Sequence, residues 1–382
     1  MTVRLASYNV ENLFLRAKAL NTSTWAEGRP VLQAWGRFNR IAQHEKYSER
    51  DKEQMLEDLE TLKILVPTRA GLVMTKKPFD AWALLRENKG DFIKQPVRGP
   101  AEIVANGRGD WIGWADLITE SVDEVATRMT AKVITELAPD VLCVVEAENR
   151  PALARFNEEL LDSRYGHAML VDGNDPRGID VGLFCTSAID INSVCSHVDD
   201  DNRLFSRDCP VYRLGLPSGE ELVLLVNHLK SQSRTGGDPD ALRTRQSARV
   251  REIYDELRVQ GARFVAVLGD LNKGPTDDTP PKHPTLEALF MPGIVDATTI
   301  DGFDLGPKPG TFETCSLRNR LDYILMSPEL AEHVTGGGIF RKGLWGNPKN
   351  QNPPRDWEIF DEITSAEQSA SDHAAIFVDL DL

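Results

Sequence analysis

The sequence is poor in the features that settle a protein's class at a glance. Its five cysteines (Cys143, Cys185, Cys195, Cys209 and Cys315) are scattered, odd in number and never spaced CxxC. That argues against a zinc cluster or a disulfide framework and fits reduced thiols in a cytosol. No apolar run approaches the ~20 residues needed to cross a bilayer. The first residues lead straight into a strand-like segment rather than a secretory leader, so a cytoplasmic location is expected. P-loop, GxSxG and HExxH motifs are missing, as are internal repeats and low-complexity tracts. Positive charge is scarce too: the net charge is -15, which speaks against a non-specific coat for nucleic acid.

What is present is unevenly distributed. Over Arg16 to Lys132 there are 19 Lys and Arg against 17 Asp and Glu, a net of +2; the remainder carries 25 against 42, a net of -17. The same segment holds five of the seven tryptophans: Trp25, Trp35, Trp82, Trp111 and Trp114. It contains a helical stretch near Glu49 to Leu65 and several Gly/Pro breaks, with no alternating βα rhythm. Residues 16–132 therefore read as an insertion into a single domain spanning 1–382, and as a possible cap beside the active site.

Outside that segment the pattern is regular. "TVRLASYNVENLF" reads as a strand ending in a polar corner. "SVDEVATRMTAKVITELAPD" has helical spacing, with Ser121 as a cap and Pro139 as a stop. "DVLCVVEAEN" reads as a buried strand and "PALARFNEELL" as a helix. Short strands follow in "AMLVDG", "IDVGLFCTS", "IDINSVCSHV", "PVYRLGL" and "ELVLLVNHL", then a helix over Asp240 to Gln260 stopped by Gly261. Three more strands lie in "FVAVLGDLN", "RLDYILMS" and "AAIFVDLDL". Two packed sheets covered by helices, an α/β sandwich, suit this order.

Almost every apolar strand ends in a group able to bind a metal or move a proton: Asn9, Glu146, Asn227-His228, Asp270 with Asn272, Asp322, and Asp372-His373. Ligands in layered α/β folds gather where strand ends open on one edge. A carboxylate such as Glu146, closing an apolar strand, needs a partner, and a divalent cation would supply one. Oxygen donors from Asn9, Glu146 and Asp372 favour magnesium (Mg²⁺) or manganese (Mn²⁺) over zinc. Each histidine has an acidic candidate partner, Asp322 for His373 and Asp180 for His228. One cation, His-carboxylate pairs and an Asp beside an Asn suit attack by water on phosphorus.

With those residues in view, the sequence resembles the endonuclease/exonuclease/phosphatase superfamily, through "SYNVENLF", "PDVLCVVEAEN", "RGIDVGLF", "NHLKSQ", "GDLN", "RLDYILMS" and "SDH" in that order. The resemblance implies a four-layered α/β sandwich, two packed mixed sheets flanked by helices, with a large insertion after the first strand. It implies that Asn9 and Glu146, with Asp372, form the metal site, and that His228 is the first active-site histidine. Asp270 and Asn272 would orient or deprotonate the attacking water; Asp322 and His373 would contact the scissile phosphate. Lys230 and Arg177 are candidate phosphate contacts. The late stretch "GGGIFRKGLWGNPKNQNPPRDW" interleaves Arg341, Lys342, Lys349 and Arg355 with Trp345 and Trp357, a pattern suited to nucleic acid or to a surface loop.

The function expected is a Mg²⁺-dependent phosphodiesterase on nucleic acid, an endonuclease with DNA ahead of RNA. The alternative is a phosphomonoesterase or phospholipase C-like enzyme on an inositol phosphate or sphingomyelin head group, for which "NHLKSQSR" offers only Lys230 and Arg234 as nearby cations. A scaffold that kept the fold and lost the chemistry is disfavoured by the intact polar set.

Overall fold

The structure is a computed structural model, and it describes all residues except 1, 23, 123, 176, 234–236 and 347–355. The chain divides into two compact units, one formed by residues up to Phe14 together with the stretch after residue 122, the other by Leu15–Val122.

In the first unit the elements in chain order are β1 (Thr2–Leu13), α1 (Val125–Leu137), β2 (Val141–Ala147), α2 (Arg150–Leu160), β3 (His167–Val171) and β4 (Asp180–Cys185). Then come β5 (Asp190–Cys195), β6 (Val211–Gly215), β7 (Glu221–His228), α3 (Pro239–Val259) and β8 (Phe264–Asp270). The series ends with β9 (Val295–Asp296), β10 (Phe303–Asp304), β11 (Asp322–Met326), β12 (Val334–Phe340) and β13 (Ala375–Asp381). One sheet has the order β3-β4-β2-β1-β13-β12-β10 and the other β5-β6-β7-β8-β11-β9. Both are mixed: β1 runs parallel to β2, and β7 parallel to β8, among otherwise mainly antiparallel neighbours.

Three apolar layers hold the sheets and helices together. Between the sheets, Leu5, Val141, Cys143 and Val145 meet Leu222, Leu224, Val226, Ala266 and Leu268. The outer face of the first sheet (Ala6, Tyr8, Leu142, Val144) packs on Met129, Val133 and Leu137 of α1 and on Leu153 and Phe156 of α2. The outer face of the second (Val223, Leu225, Val265, Val267) packs on Val250, Ile253, Tyr254 and Leu257 of α3. Strands buried on both faces must be apolar along their whole length, which is why they read as continuous runs. The result is the α/β sandwich, helix on sheet on sheet on helix.

Helix ends follow local chemistry. Asn149 caps α2 by accepting from the Ala152 amide at 2.9 Å, and Asp238 caps α3 at the Asp240 amide. The start of α1 differs from expectation: Ser121 is not its cap but lies in a strand of the other unit, paired with Leu15. The cap position is Glu124, and Ala138 ends the helix in the left-handed region. Because α1 belongs to the first unit's core, the segment drawn as 16–132 overshoots; the compact unit is Leu15–Val122.

That unit has a core of its own, in which Phe38 meets Phe92 edge-on at 5.6 Å and Phe92 lies 4.3 Å from Trp111. Trp111 donates to the Tyr47 hydroxyl at 2.8 Å. Two helices, Trp25–Ile41 and Glu49–Thr61, pack with short hairpins. The strands Leu15–Ala17 and Thr119–Ser121 pair, so the unit's chain enters and leaves side by side.

One titratable group away from the strand-end carboxylates bears on stability. His283 stacks on Phe290, and burial, reinforced by Arg320, lowers it to about 4. The unfolded chain takes up this proton near the ordinary value of ~6.5, so the neutral ring stabilises the fold above that pH. Stability should fall as pH drops from about 6.5 to about 4. In His283→Phe, urea midpoints measured across that window should lose one proton's worth of slope.

Candidate active site

Topology alone brings the polar strand ends together. β1 and β2 run parallel and reach the same edge, with Asn9 beside Val145. β13 is antiparallel to β1, so the Asp372-His373 pair just before it returns to that edge. In the other sheet His228 lies beside Asp270, and antiparallel β11 sets Asp322 opposite Asp270. The two edges face each other: the Asn9 side-chain amide donates to Glu146 Oε1 at 3.3 Å and across the sandwich to Asp270 Oδ2 at 3.2 Å.

Local irregularities aim these side chains. The register of β2 against β4 slips between Val145 and Ala147, and Glu146 between them has φ 70. Such a bulge turns its side chain out of the alternating pattern. At Gly269, φ is +128, and a Cβ would lie 2.0 Å from the Asn227 carbonyl oxygen. Only glycine allows β8 to approach β7 so closely where His228 and Asp270 meet. β8 stops at Asp270, and Asn272 beyond it has φ 57. Asn272 folds back. Its backbone amide donates to Asp270 Oδ1 at 2.8 Å and its side chain to Oδ2 at 3.1 Å.

The electrostatics are set by burial. His373 Nδ1 bonds Asp322 Oδ2 at 2.7 Å. Burial works against its charged form, but Asp322 first, then Asp270 and Asp372, outweigh it and raise His373 to about 10. Burial pushes Asp270 up to about 7 against the pull of His373, with Asp322 adding to the rise. His228 Nε2 stands 3.7 Å from Glu146 and 3.6 Å from Asp270. Burial, then the charge of Arg207, holds it well below the ordinary imidazole value. One histidine is thus a cation at neutral pH and the other is neutral. Phe312 lies against the His373 ring at 4.9 Å.

Two further groups belong to this edge although the sequence did not single them out. Glu11, φ 51, accepts from the Asp372 amide at 2.9 Å. Ser371 donates to the Asn9 carbonyl at 2.7 Å and accepts from the His373 amide. These bonds tie the "SDH" turn to β1. Glu11 stands two residues beyond Asn9 at the same corner; that spacing was the available signal.

Three expectations need correction. Asp180 does not hold His228: it accepts from the Gly173 amide at 2.8 Å, and His228 Nδ1 has no partner among the described residues. Asp180 opens β4 in the sheet facing β7, and its Oδ1 is taken by the Gly173 amide. Lys230 is not among the residues that line the cleft. Its backbone is fixed by Gln246 and Arg243, and its amine is lowered by burial and then by Arg207 and Arg177. Arg177 does line the cleft. The late basic-aromatic stretch is largely committed: Arg341 is buried and donates to Gly310, Lys342 pairs with Glu136 at 2.8 Å, and Trp357 donates to Leu344. Lys349 and Arg355, like Arg234, lie outside the described residues.

The polar groups open on a cleft of about 440 Å³ whose lining includes Glu146, Arg177, His228, Asp270, Asp372 and His373. A family profile described as Endonuclease/Exonuclease/phosphatase matches residues 84–289, more than half of the chain. The chain belongs to this family. Members of the Endonuclease/Exonuclease/phosphatase family are hydrolases acting on phosphoester bonds. Among solved structures, a family protein from Bacteroides thetaiotaomicron is 15% identical, with 100% of this chain and 95% of that one covered and a TM-score of 0.52; it shares the fold. A mannosyl-6-phosphatase of the same species is 17% identical (68% and 92% covered, TM-score 0.48). Truncated TDP2 of Caenorhabditis elegans is 19% identical (68% and 91% covered, TM-score 0.44). No curated protein sequence matches.

Enzymes of this family generally use divalent metal ions. Among the described residues no three His, Cys, Asp or Glu side chains form a closed ligand cluster, and Asn9 turns its oxygen to the Glu11 amide. The donor chemistry nevertheless fits a hard cation. Desolvation, then the like charges of Asp372 and Glu146, push Glu11 up to about 7, and a divalent ion among Glu11, Glu146 and Asp372 would relieve that repulsion. Among the described residues no helix is long and apolar enough to cross a membrane.

Proposed function

We propose that the chain is a Mg²⁺-dependent phosphodiesterase that cleaves nucleic acid, an endonuclease acting on DNA ahead of RNA. The observation that carries the reaction class is the juxtaposition, at one cleft, of buried Asp270 with the Asp322–His373 pair and the bulged Glu146. Asp270, raised by burial and steadied by Asn9 and Asn272, is suited to take a proton from an attacking water. His373, held as a cation by Asp322, is suited to stabilise charge on the phosphate or the leaving oxygen. Neutral His228 offers a hydrogen bond at the same point. Glu146, with Glu11 and Asp372, would hold the Mg²⁺, which when bound supplies Lewis acidity toward the phosphate.

The nucleic-acid preference draws on the Leu15–Val122 unit, whose 17 Lys and Arg outnumber its 15 Asp and Glu, while the rest of the chain has 27 against 44. It also shows Trp25 and Trp114 to solvent. A small phosphorylated head group is the second reading, favoured by the acidic character of the first unit, which repels polyanions. Incubation with plasmid DNA, RNA, sphingomyelin and inositol phosphates, with Mg²⁺ and with EDTA, separates them. EDTA-sensitive nicking of the plasmid is the expected result. Hydrolysis confined to a head-group substrate would overturn the nuclease reading.

We also propose that the Leu15–Val122 unit selects substrate rather than supplying catalytic groups. The chain departs from the first unit after Phe14, and Leu13 beside it pairs with Ala147 next to Glu146. Replacing residues 20–118 with a short Gly/Ser linker should leave cleavage of bis(p-nitrophenyl) phosphate in place while changing the rate on DNA and its salt dependence. Unchanged rate and salt slope on DNA would sink the idea.

A further inference from the structure

The cleft wall that faces the catalytic carboxylates contains a cation the mechanism above does not use. Arg207 is a cleft-lining residue whose side chain is only 4% exposed. Its Nε stands 3.1 Å from Asp175 Oδ2, yet lacks hydrogen-bond alignment, and no Arg207 nitrogen donates a hydrogen bond among the described residues. Asp175 is shared. Its carboxylate also takes Arg177 Nε at 3.1 Å and Nη2 at 2.8 Å. One carboxylate therefore serves two guanidiniums, leaving a net positive charge in a wall where Arg207 is almost wholly desolvated. A buried cation without full compensation is costly unless an anion completes it. Burial accordingly lowers Arg207.

The placement is built into the backbone. Asn174 clasps the neighbouring loop, its amide donating to the Ser206 carbonyl at 2.7 Å and its side chain to Val198 and Phe205. Gly173 is what permits the approach: a Cβ there would lie 2.9 Å from Arg207 Cα and 2.7 Å from Asp180 Oδ1. Asp180, released from its expected role beside His228, fixes this turn through the Gly173 amide. Neither arginine forms an ion pair with Glu146, Asp270 or Asp372, although all five line the same cleft.

We propose that Asp175 is a positioning residue that sets Arg207 and Arg177 as a two-arginine clamp on a non-bridging oxygen of the scissile phosphate. The proposal rests on the phosphoesterase reading. Guanidinium forks suit phosphate oxygens because they offer paired, fixed donors. Arg207 is the rigid arm, and Arg177, with a side chain 60% exposed, the adjustable one.

Inorganic phosphate is the probe, used both as a competitive inhibitor of bis(p-nitrophenyl) phosphate cleavage and by calorimetry without substrate. Arg177→Ala should weaken phosphate binding about tenfold and lower kcat/KM at least as much, the scale of one charge-assisted hydrogen-bond pair. Asp175→Asn should lose at least as much, Asp175→Glu should recover part of the loss, and Asp175→Asn with Arg177→Ala together should be no worse than Asp175→Asn alone. Unchanged phosphate affinity in Arg177→Ala, or losses that add in the double variant, would overturn the clamp. Arg177 is surface-exposed, so its variant decides the matter even if Asp175→Asn does not fold. If calorimetry shows the expected pattern while the wild type cleaves no nucleic acid, the nuclease reading fails and the clamp stands. If the wild type cleaves DNA and the variants bind phosphate normally, the reverse holds.

Discussion

Glu146→Ala is expected to abolish turnover at limiting Mg²⁺ while the urea midpoint of the protein stays near that of the wild type. The substitution deletes a carboxylate at the rim of the sandwich and leaves the apolar run Val141–Val145 untouched, so no cavity opens between the sheets. Alanine also keeps the left-handed backbone as strained as glutamate does, so stability shifts little. The function shifts entirely, because Glu146 is the carboxylate that the bulge in β2 turns toward Asp270 and His228. Steady-state rates on a small phosphodiester over a Mg²⁺ titration would decide it. Near-normal rates at the lowest concentrations would show that the metal is held elsewhere.

Asp270→Asn and His373→Ala should each lower kcat by at least ~10² with smaller changes in KM, the usual scale for removing a positioned proton-transfer or charge-stabilising group. Asp270→Asn keeps the side-chain volume but turns one acceptor into a donor facing the amides of Asn9 and Asn272, so urea midpoints measured beside kcat separate chemistry from packing. Asp322→Asn should cost less than His373→Ala, since Asp322 reaches the reaction only through the 2.7 Å bond to the ring. Coupling is the sharper readout. In Asp322→Asn with His373→Ala the loss should be close to that of His373→Ala alone; additive losses would mean that the two act independently.

How much of this was legible in the sequence depended on whether the signal lay in side chains or in the path of the chain. Continuous apolar runs ending in Asn9, Glu146, His228 and Asp270 marked the central strands and the candidate site together, because strands buried on both faces stop being apolar only where they emerge. β12 was hidden. Its "VTGGGIF" carries three glycines and no alternation, yet a Cβ on Gly337 would lie 2.7 Å from the Phe377 carbonyl oxygen, so close packing of strands demands the residues that erase the pattern. Asp180 misled for a different reason: a carboxylate opening a buried strand reads the same whether it holds a histidine or a turn. Arg207 lies in a loop, off any strand end, and only the clasp of Asn174 on Ser206 brings it to the cleft. The helix Trp25–Ile41, with Pro30 and Gly28 inside it, carries breakers that mask its period.

Three residues at the working edge, Glu11, Glu146 and Asn272, sit with φ of 51, 70 and 57. A side chain in that region costs on the order of 1–3 kcal/mol where glycine would sit with less strain. A laboratory selection for heat resistance alone would therefore be drawn to glycine at these positions. The survivors would be hardier proteins with their donors removed, so any thermostabilisation campaign on this chain has to screen for turnover at every round.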